Sequence, residues 1–375
     1  MDRRERGFFG RVLVFILSVL AVIGLIAMAL SVINPYINPK QFVWTSVFGL
    51  SFWIILFYNV LIFILLVLLW SRKAWIAVLA LLISIPGLKK SYSFGTKAKA
   101  DNSIRVMSYN LHLFSDITKK TNKEEFANNL MNIIREQSPD VLCCQEFQSY
   151  NYKMTRPQCI EAFANGIGFP YVYYNKKNNF GGNVIFSKYP IQKVTEESGF
   201  GQENLYGVMV SVDAGEKGKF HVADVHLLSY NITDNELNVL MNPTERQKNL
   251  DTVGKTVLHK YNYGILRRSD EIDSMLGGMP PVDGPVIVCG DFNETPLSNV
   301  YRKMQKAGYV DTFTKVGRGV KSTFARKLLL LRIDYIWANS EVVPLNFERN
   351  YFKASDHYPI ILDFSINHQT NTEQL

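Results

Sequence analysis

The chain has 375 residues, 47% hydrophobic and 20% charged, with a formal net charge of +8. Its first 100 residues hold 11 Lys/Arg against 2 Asp/Glu, which leaves 30 against 31 for the remainder. The basic excess therefore belongs to the N-terminal third and gives the rest no electrostatic pull on a polyanion, and four cysteines without CxxC spacing offer no zinc site.

Val12 to Ile33 carries no charge over 22 positions, and Phe42 to Trp70 none over 29. At ~1.5 Å per helical residue each run exceeds the roughly 30 Å hydrocarbon layer of a bilayer, and neither has a polar face. Both are expected to span a membrane. A third run, Ala74 to Leu88, is shorter; with Trp75 as an interface anchor it is expected to cross as well, a re-entrant or interfacial helix being the alternative. Arg3, Arg4, Arg6 and Arg11 precede the first run and Arg72-Lys73 follow the second, marking cytoplasmic flanks. Three spans then place everything further on at the non-cytoplasmic side of an integral, multi-pass membrane protein. Residues 1–88 are expected to anchor, 89–103 to link, 104–367 to form one large globular domain and 368–375 to be a polar tail.

Beyond the linker, strand and helix patterns alternate. Ile104–Tyr109 reads as a strand, Lys123–Glu136 as an amphipathic helix and Val141–Gln145 as a buried strand. A helix at Gln158–Gly166 precedes strands at Tyr171–Tyr174 and, after Gly181-Gly182, Asn183–Ser187. Tyr206–Val212 and Lys219–Leu227 flank a Gly215–Gly218 turn. Residues 244–278 have helical period, with Pro243-Thr244 as a start signal and Gly277-Gly278 as a stop. Val286–Cys289, a helix near Asn299–Ala307, and strands at Ile333–Ala338, Val342–Phe347 and Ile360–Ile366 complete the order. This mixture predicts an α/β sandwich of two packed mixed or antiparallel sheets with helices outside. Cys143, Cys144, Cys159 and Cys289 are expected as buried thiols.

Polar side chains recur where these strands leave the core: Asn110, Gln145-Glu146, His226, Asp291-Phe292-Asn293, Asp334 and Asp356-His357. Singly, each has a plain explanation: a turn Asn, a solvent-facing Glu, a half-buried His, an Asp cap. Together they supply oxygen donors for a hard divalent cation and groups that move a proton beside a phosphate.

In that order the segments SYN, QE, a mid-strand His, GDFN, IDYI and SDH resemble the endonuclease/exonuclease/phosphatase superfamily. Gly182–Pro190 and Thr323-Phe324 extend the likeness over roughly residues 104–366. The resemblance implies a four-layer α/β sandwich and a Mg2+-dependent (or Mn2+-dependent) phosphoester hydrolase. It implies that Glu146 ligates the metal with Asn110 beside it and Asp356 assisting. Asp291 would orient or deprotonate the attacking water, and Asn293 would hold a non-bridging phosphate oxygen. His357, paired with Asp334, and His226 would stabilise the pentacoordinate phosphorus.

The His226 context matches the nuclease, sphingomyelinase and deadenylase type. The Tyr and Pro-Asn pair of abasic-site endonucleases and the extra basic residues of inositol 5-phosphatases are missing. The segment from Tyr230 to Gly278 lengthens the path to GDFN and is a candidate substrate lid, a solvated helical pair being the alternative. Arg267-Arg268 and Arg326-Lys327 read as solvated basic pairs. Gly317–Ser322 has the wrong spacing for a P-loop, and Asn231 and Asn293 begin glycosylation sequons. The expected partners are the lipid bilayer and a phosphoester substrate, preferably a lipid headgroup or membrane-associated phosphodiester. Nucleic acid is the alternative substrate, a catalytically silent tethered binding module the alternative of another class, and no obligate protein partner is evident.

Overall fold

A computed structural model describes residues 7–367 apart from 116–121, 176–181, 195–198, 201–206, 231, 233–235, 237–238, 240–242, 326–329 and 353–354. Arg3, Arg4, Arg6, Gly181, Tyr206, Asn231, Arg326-Lys327, most of the stretch from Tyr230 to Pro243 and the tail from His368 lie outside the described residues. The chain divides into two compact units, Met1–Ser91 with Thr295–Arg302, and Tyr92–Glu294 with Lys303–Leu375.

The first unit is helical: α1 (Phe8–Ile33), a short α2 (Ser46–Leu50), α3 (Phe52–Leu68) and α4 (Ala74–Ser91). Leu17, Ala21, Ile62, Leu66 and Ile76 pack together, and so do Met28, Phe52, Leu56, Ala80 and Leu297. Large apolar side chains also cover the outside, among them Phe15, Ile23, Ile54, Phe57 and Leu61. A helix apolar on every face suits hydrocarbon and not water. Among the described residues two helices are long and apolar enough to cross a membrane, Phe8–Tyr36 and Ala74–Ser91. The expected continuous span from Phe42 to Trp70 is instead broken: Val43–Leu50 and Phe52–Leu68 meet at 62°, so they count as a third only if the bent pair is one span. The break falls at Ser51, whose amide bonds back to Val47 while its backbone leaves helical geometry. Helix α4 runs on through Lys89-Lys90-Ser91, residues expected in the linker. The buried Asn34 amide donates to Leu297 O at 2.7 Å, and Gly49 makes room: a Cβ there would lie 2.5 Å from both Asn34 Nδ2 and Leu297 O.

In the second unit β1 (Ser93–Phe94) is followed by β2 (Ile104–Asn110), α5 (Lys123–Gln137), β3 (Val141–Phe147), α6 (Arg156–Ile167), β4 (Tyr171–Tyr174) and β5 (Gly182–Ser187). Next come β6 (Ile191–Lys193), β7 (Gly199–Phe200), β8 (Gly207–Asp213), β9 (Lys219–His226), the long α7 (Pro243–Gly278) and β10 (Val286–Asp291). The order ends with α8 (Asn299–Lys306), whose residues up to Arg302 count with the first unit, then β11 (Val310–Asp311), α9 (Thr312–Val316), β12 (Arg318–Gly319), β13 (Asp334–Ala338), β14 (Val342–Arg349) and β15 (Ile360–Ile366). One sheet has the order β14-β15-β2-β3-β5-β4, the other β11-β13-β10-β9-β8-β6 with β7 on β8, and β1 pairs β12. Only β2–β3 and β9–β10 among these pairs are parallel; the others are antiparallel. The architecture is the expected sandwich of mixed sheets.

Period-two alternation decides which side chains meet. Ile104, Val106, Val141, Cys143 and Ile185 from one sheet pack on Val210, Val222, Ile287, Cys289 and Ile336 from the other. The opposite face of the first sheet, with Met107, Tyr109, Leu142 and Cys144, carries α5 and α6 through Leu130, Ile134, Ile160 and Phe163. All four cysteines are buried and free. Helix α5 starts on Asn122, whose side chain accepts from Glu125 N, and α6 on a Thr155–Gln158 capping box.

Candidate active site

Followed outward, the alternation turns the inter-sheet layer from apolar to polar. On β2 the inward set is Ile104, Val106, Ser108, Asn110; on β9 it is Phe220, Val222, Asp224, His226; on β10, Ile287, Cys289, Asp291. The register puts Asp291 opposite His226 on one side and Asp334 on the other, and Asn110 opposite Gln145. Three neighbouring strands thus end at one level with His, Asp and Asp facing the same layer.

Glu146 breaks the rule. Gln145 points inward, so alternation would turn Glu146 outward. A register shift between Cys144 and Phe147 and a φ of 54° at Glu146 swing its carboxylate back. Asn110 Nδ2 donates to Glu146 Oε1 at 3.2 Å and to Asp291 Oδ2 at 3.0 Å, tying the two sheets' acids together. His226 Nε2 lies 3.5 Å from Glu146 Oε1 and 3.9 Å from Asp291 Oδ2. His357 Nε2 lies 3.6 Å from Asp291 Oδ2, and its Nδ1 meets Asp334 Oδ2 at 2.9 Å. Asp334 is pinned in turn, because the Thr323 hydroxyl accepts from the amides of Ile333 and Asp334. Ser355 Oγ donates to Asn110 O, fixing the loop that carries Asp356 and His357.

Asn293, expected to reach a phosphate, is turned inward. Its amide donates to Leu227 O at 2.9 Å and Asp291 Oδ2 at 3.2 Å, while its backbone N donates to Asp291 Oδ1 at 2.8 Å. In this structure it holds Asp291. Asn293 itself has a φ of 51°, and Gly290, with a φ of +137°, lets β10 lie close against β9, where a Cβ would clash with Val225 O.

Burial, with Asp334 nearby, pushes the Asp291 carboxyl up to about 6, although His357 and His226 pull the other way. His357 is buried, which opposes its charge, but Asp334 and Asp291 outweigh that and hold it well above the usual imidazole range. An imidazolium between two carboxylates is the result.

Asp291, Asp334 and His357 each place one atom within 4.8 Å of the others, spacing that a metal could bridge. There His357 Nδ1 is already held by Asp334 Oδ2 at 2.9 Å. Two of the expected ligand positions also offer oxygen to a hard cation. Glu146 offers a carboxylate, and Asp356 Oδ1 is buried with no hydrogen-bond donor. Asn110 as placed turns its amide nitrogen toward the acids and uses Oδ1 to accept from His112 N, so it orients carboxylates and presents no oxygen.

Two participants were missed in sequence. His112 Nε2 lies 3.7 Å from Asp356 Oδ2, on a turn where His112, Leu113 and Phe114 all have positive φ. Its position two residues after Asn110 was the only sequence signal. Arg268, read as solvated with Arg267, is fully buried and bonded to Glu294, whereas Arg267 is exposed.

The strand ends of this two-sheet sandwich gather carboxylates and two imidazoles, groups suited to charge and proton handling beside a phosphate. Residues 107–357 match the model of the Endonuclease/Exonuclease/phosphatase family, and the chain belongs to that family of phosphoester hydrolases. Residues 11–91 match a family described only as a domain of unknown function. No curated protein matches the chain. Similar solved structures include an endonuclease/exonuclease/phosphatase from Beutenbergia cavernae, 15% identical with a TM-score of 0.47 over 70% of this chain and 72% of that one. An AP endonuclease from Archaeoglobus fulgidus is 17% identical, with a TM-score of 0.48 over 69% and 98%. The human Nocturnin catalytic domain is 18% identical, with a TM-score of 0.46 over 71% and 96%.

Proposed function

We propose that this protein is a membrane-anchored, Mg2+-dependent phosphoesterase acting on a lipid headgroup or another membrane-associated phosphodiester. The observation that carries the hydrolase reading is the meeting of Glu146, Asp291, His226, His357 and Asp334 from both sheets at one end of the inter-sheet layer. The apolar helices on the same chain and the near-neutral charge of the remainder support the lipid preference over a nucleic acid. Residues 1–88 would anchor, 89–103 link and 104–367 catalyse, on the non-cytoplasmic side.

Glu146 and Asp356, with Asn110 orienting Glu146, would hold Mg2+, or Mn2+ in its place. The bound cation supplies positive charge to the phosphate oxygens. Asp291 accepts the proton of the attacking water, held in place by Asn110 and Asn293. As the water oxygen bonds to phosphorus, the bond to the leaving oxygen breaks, and an imidazolium neutralises that oxygen. His357, kept charged between Asp334 and Asp291, and His226 on the other side of Asp291 flank the developing charge.

The test is a panel in Mg2+: sphingomyelin vesicles, phosphoinositide vesicles, single- and double-stranded DNA, and bis(4-nitrophenyl) phosphate. Lipid turnover that stops with EDTA and falls by about 10² or more in Glu146→Ala, with unfolding temperature unchanged, is expected. Cleavage of DNA alone defeats the lipid preference, and no turnover of any substrate defeats the enzyme. Protease accessibility in intact cells reads the side of the membrane.

A further inference from the structure

Helix α7 turns one row of residues, Tyr261, Gly264, Arg268 and Glu271, toward the two loops that leave β9 and β10. The spacing of three and four residues puts them on one helix face. Arg268 has none of its side chain exposed. Its Nε donates to Glu294 Oε1 at 2.9 Å and its Nη1 to Leu228 O at 2.7 Å. The guanidinium stacks 3.8 Å from the Tyr230 ring centroid, and Tyr230 stacks in turn on Tyr261 at 5.3 Å and 6°. Glu271 Oε2 accepts from Leu228 N at 2.8 Å, so the helix holds both the N–H and the C=O of one residue. Gly264 leaves the space: a Cβ there would meet Arg268 Nη1 at 2.9 Å.

The held residues border the site. Leu228 lies two positions after His226, and Glu294 directly follows Asn293. Between them, Leu227 N donates to Asp291 O at 2.9 Å and Asn293 Nδ2 to Leu227 O at 2.9 Å. Arg268 therefore closes a ring of hydrogen bonds around the segments that carry His226, Asp291 and Asn293. A buried guanidinium suits the task, because its planar fork serves a carboxylate and a carbonyl at once.

We propose that Arg268, through Glu294 and Leu228, is a positioning residue that sets the spacing of His226 and Asp291 for the hydrolysis inferred above, on which this assignment rests. It touches no substrate, so its loss should act on kcat and leave KM nearly alone.

The experiment uses the full chain in detergent micelles with whichever panel substrate the wild type turns over. Arg268→Met strands Glu294 in the interior and should unfold more easily. The double variant Arg268→Met/Glu294→Met removes both charges and should regain stability relative to the single change. The expected result is that kcat stays about 10- to 100-fold low in the folded double variant, with KM within about twofold, because displacements near 1 Å cost that much. Arg268→Lys, which keeps the charge without the fork, should fall between. A folded double variant with wild-type kcat overturns the assignment, as does a rise in KM at constant kcat. An active wild type with an active double variant sinks only the role of Arg268. A wild type inert toward the whole panel sinks the hydrolase reading, and this inference with it. Should the single variant fail to fold, the double variant decides alone.

Discussion

Asp224→Asn tests how the layer between the sheets is charged. Asp224 is fully buried two residues before His226 and accepts from Gln145 Nε2. Its nearest ligand-type neighbours are the thiols of Cys143 and Cys289. Burial pushes its carboxyl from 3.8 up to about 8, against the pull of bonds from Gln145, Asn183 and Val184. Between these values the folded chain keeps the proton and the unfolded chain releases it, so the folded chain binds more protons and stability falls as pH rises. The slope is about 1.36 kcal/mol per pH unit, which amounts to roughly 2–3 kcal/mol between pH 5 and pH 7. Asparagine keeps the shape and does not titrate. The stability of the variant relative to wild type should therefore increase by that amount from pH 5 to pH 7. In unfolding temperature the gap between the two should widen by roughly 3–5 °C. Calorimetry of both proteins in the same detergent at pH 5, 6 and 7 measures it, with the other acids cancelling in the difference. A gap that stays constant across this range would mean that Asp224 is ionised in the folded chain, and the reasoning fails.

Asp334→Asn removes a negative neighbour from His357 and from Asp291. The imidazolium is present below its raised pKa and lost above it, so its weakening moves the alkaline limb of kcat/KM to lower pH; Asp291 loses a like charge, and the acid limb moves the same way. A profile from pH 5 to 10 that keeps both limbs in place would contradict the assigned pairing. Gly290→Ala forces a Cβ against Val225 O at a positive φ and should cost several kcal/mol, enough to abolish folded yield, consistent with backbone strain and overpacking acting together. Recovery of folded protein at wild-type levels would show that β9 and β10 can part there.

Much of this was legible from residue order. Uncharged runs of 22 and 29 residues, alternation in Ile104–Tyr109 and Val286–Cys289, and polar residues at successive strand ends are local patterns, and local patterns survive in a string. They were sufficient for the helical N-terminal segment, the two-sheet class and the roll of Glu146, Asp291, His226, Asp334 and His357. Distances across the chain were not. The bulge that turns Glu146 inward depends on how β3 meets β5, and the shared level of His226, Asp291 and Asp334 depends on register between three strands. Arg268 looks like its exposed neighbour Arg267 until α7 is laid against Glu294, because burial belongs to a helix face and to what covers it. The inward turn of Asn293 and the approach of His112 to Asp356 are of the same kind. Composition and period determined which groups this protein brings to its site; only the packed sheets decided which oxygen faces which imidazole, since hydrogen bonds are set over a few ångströms between site residues as far as 245 positions apart.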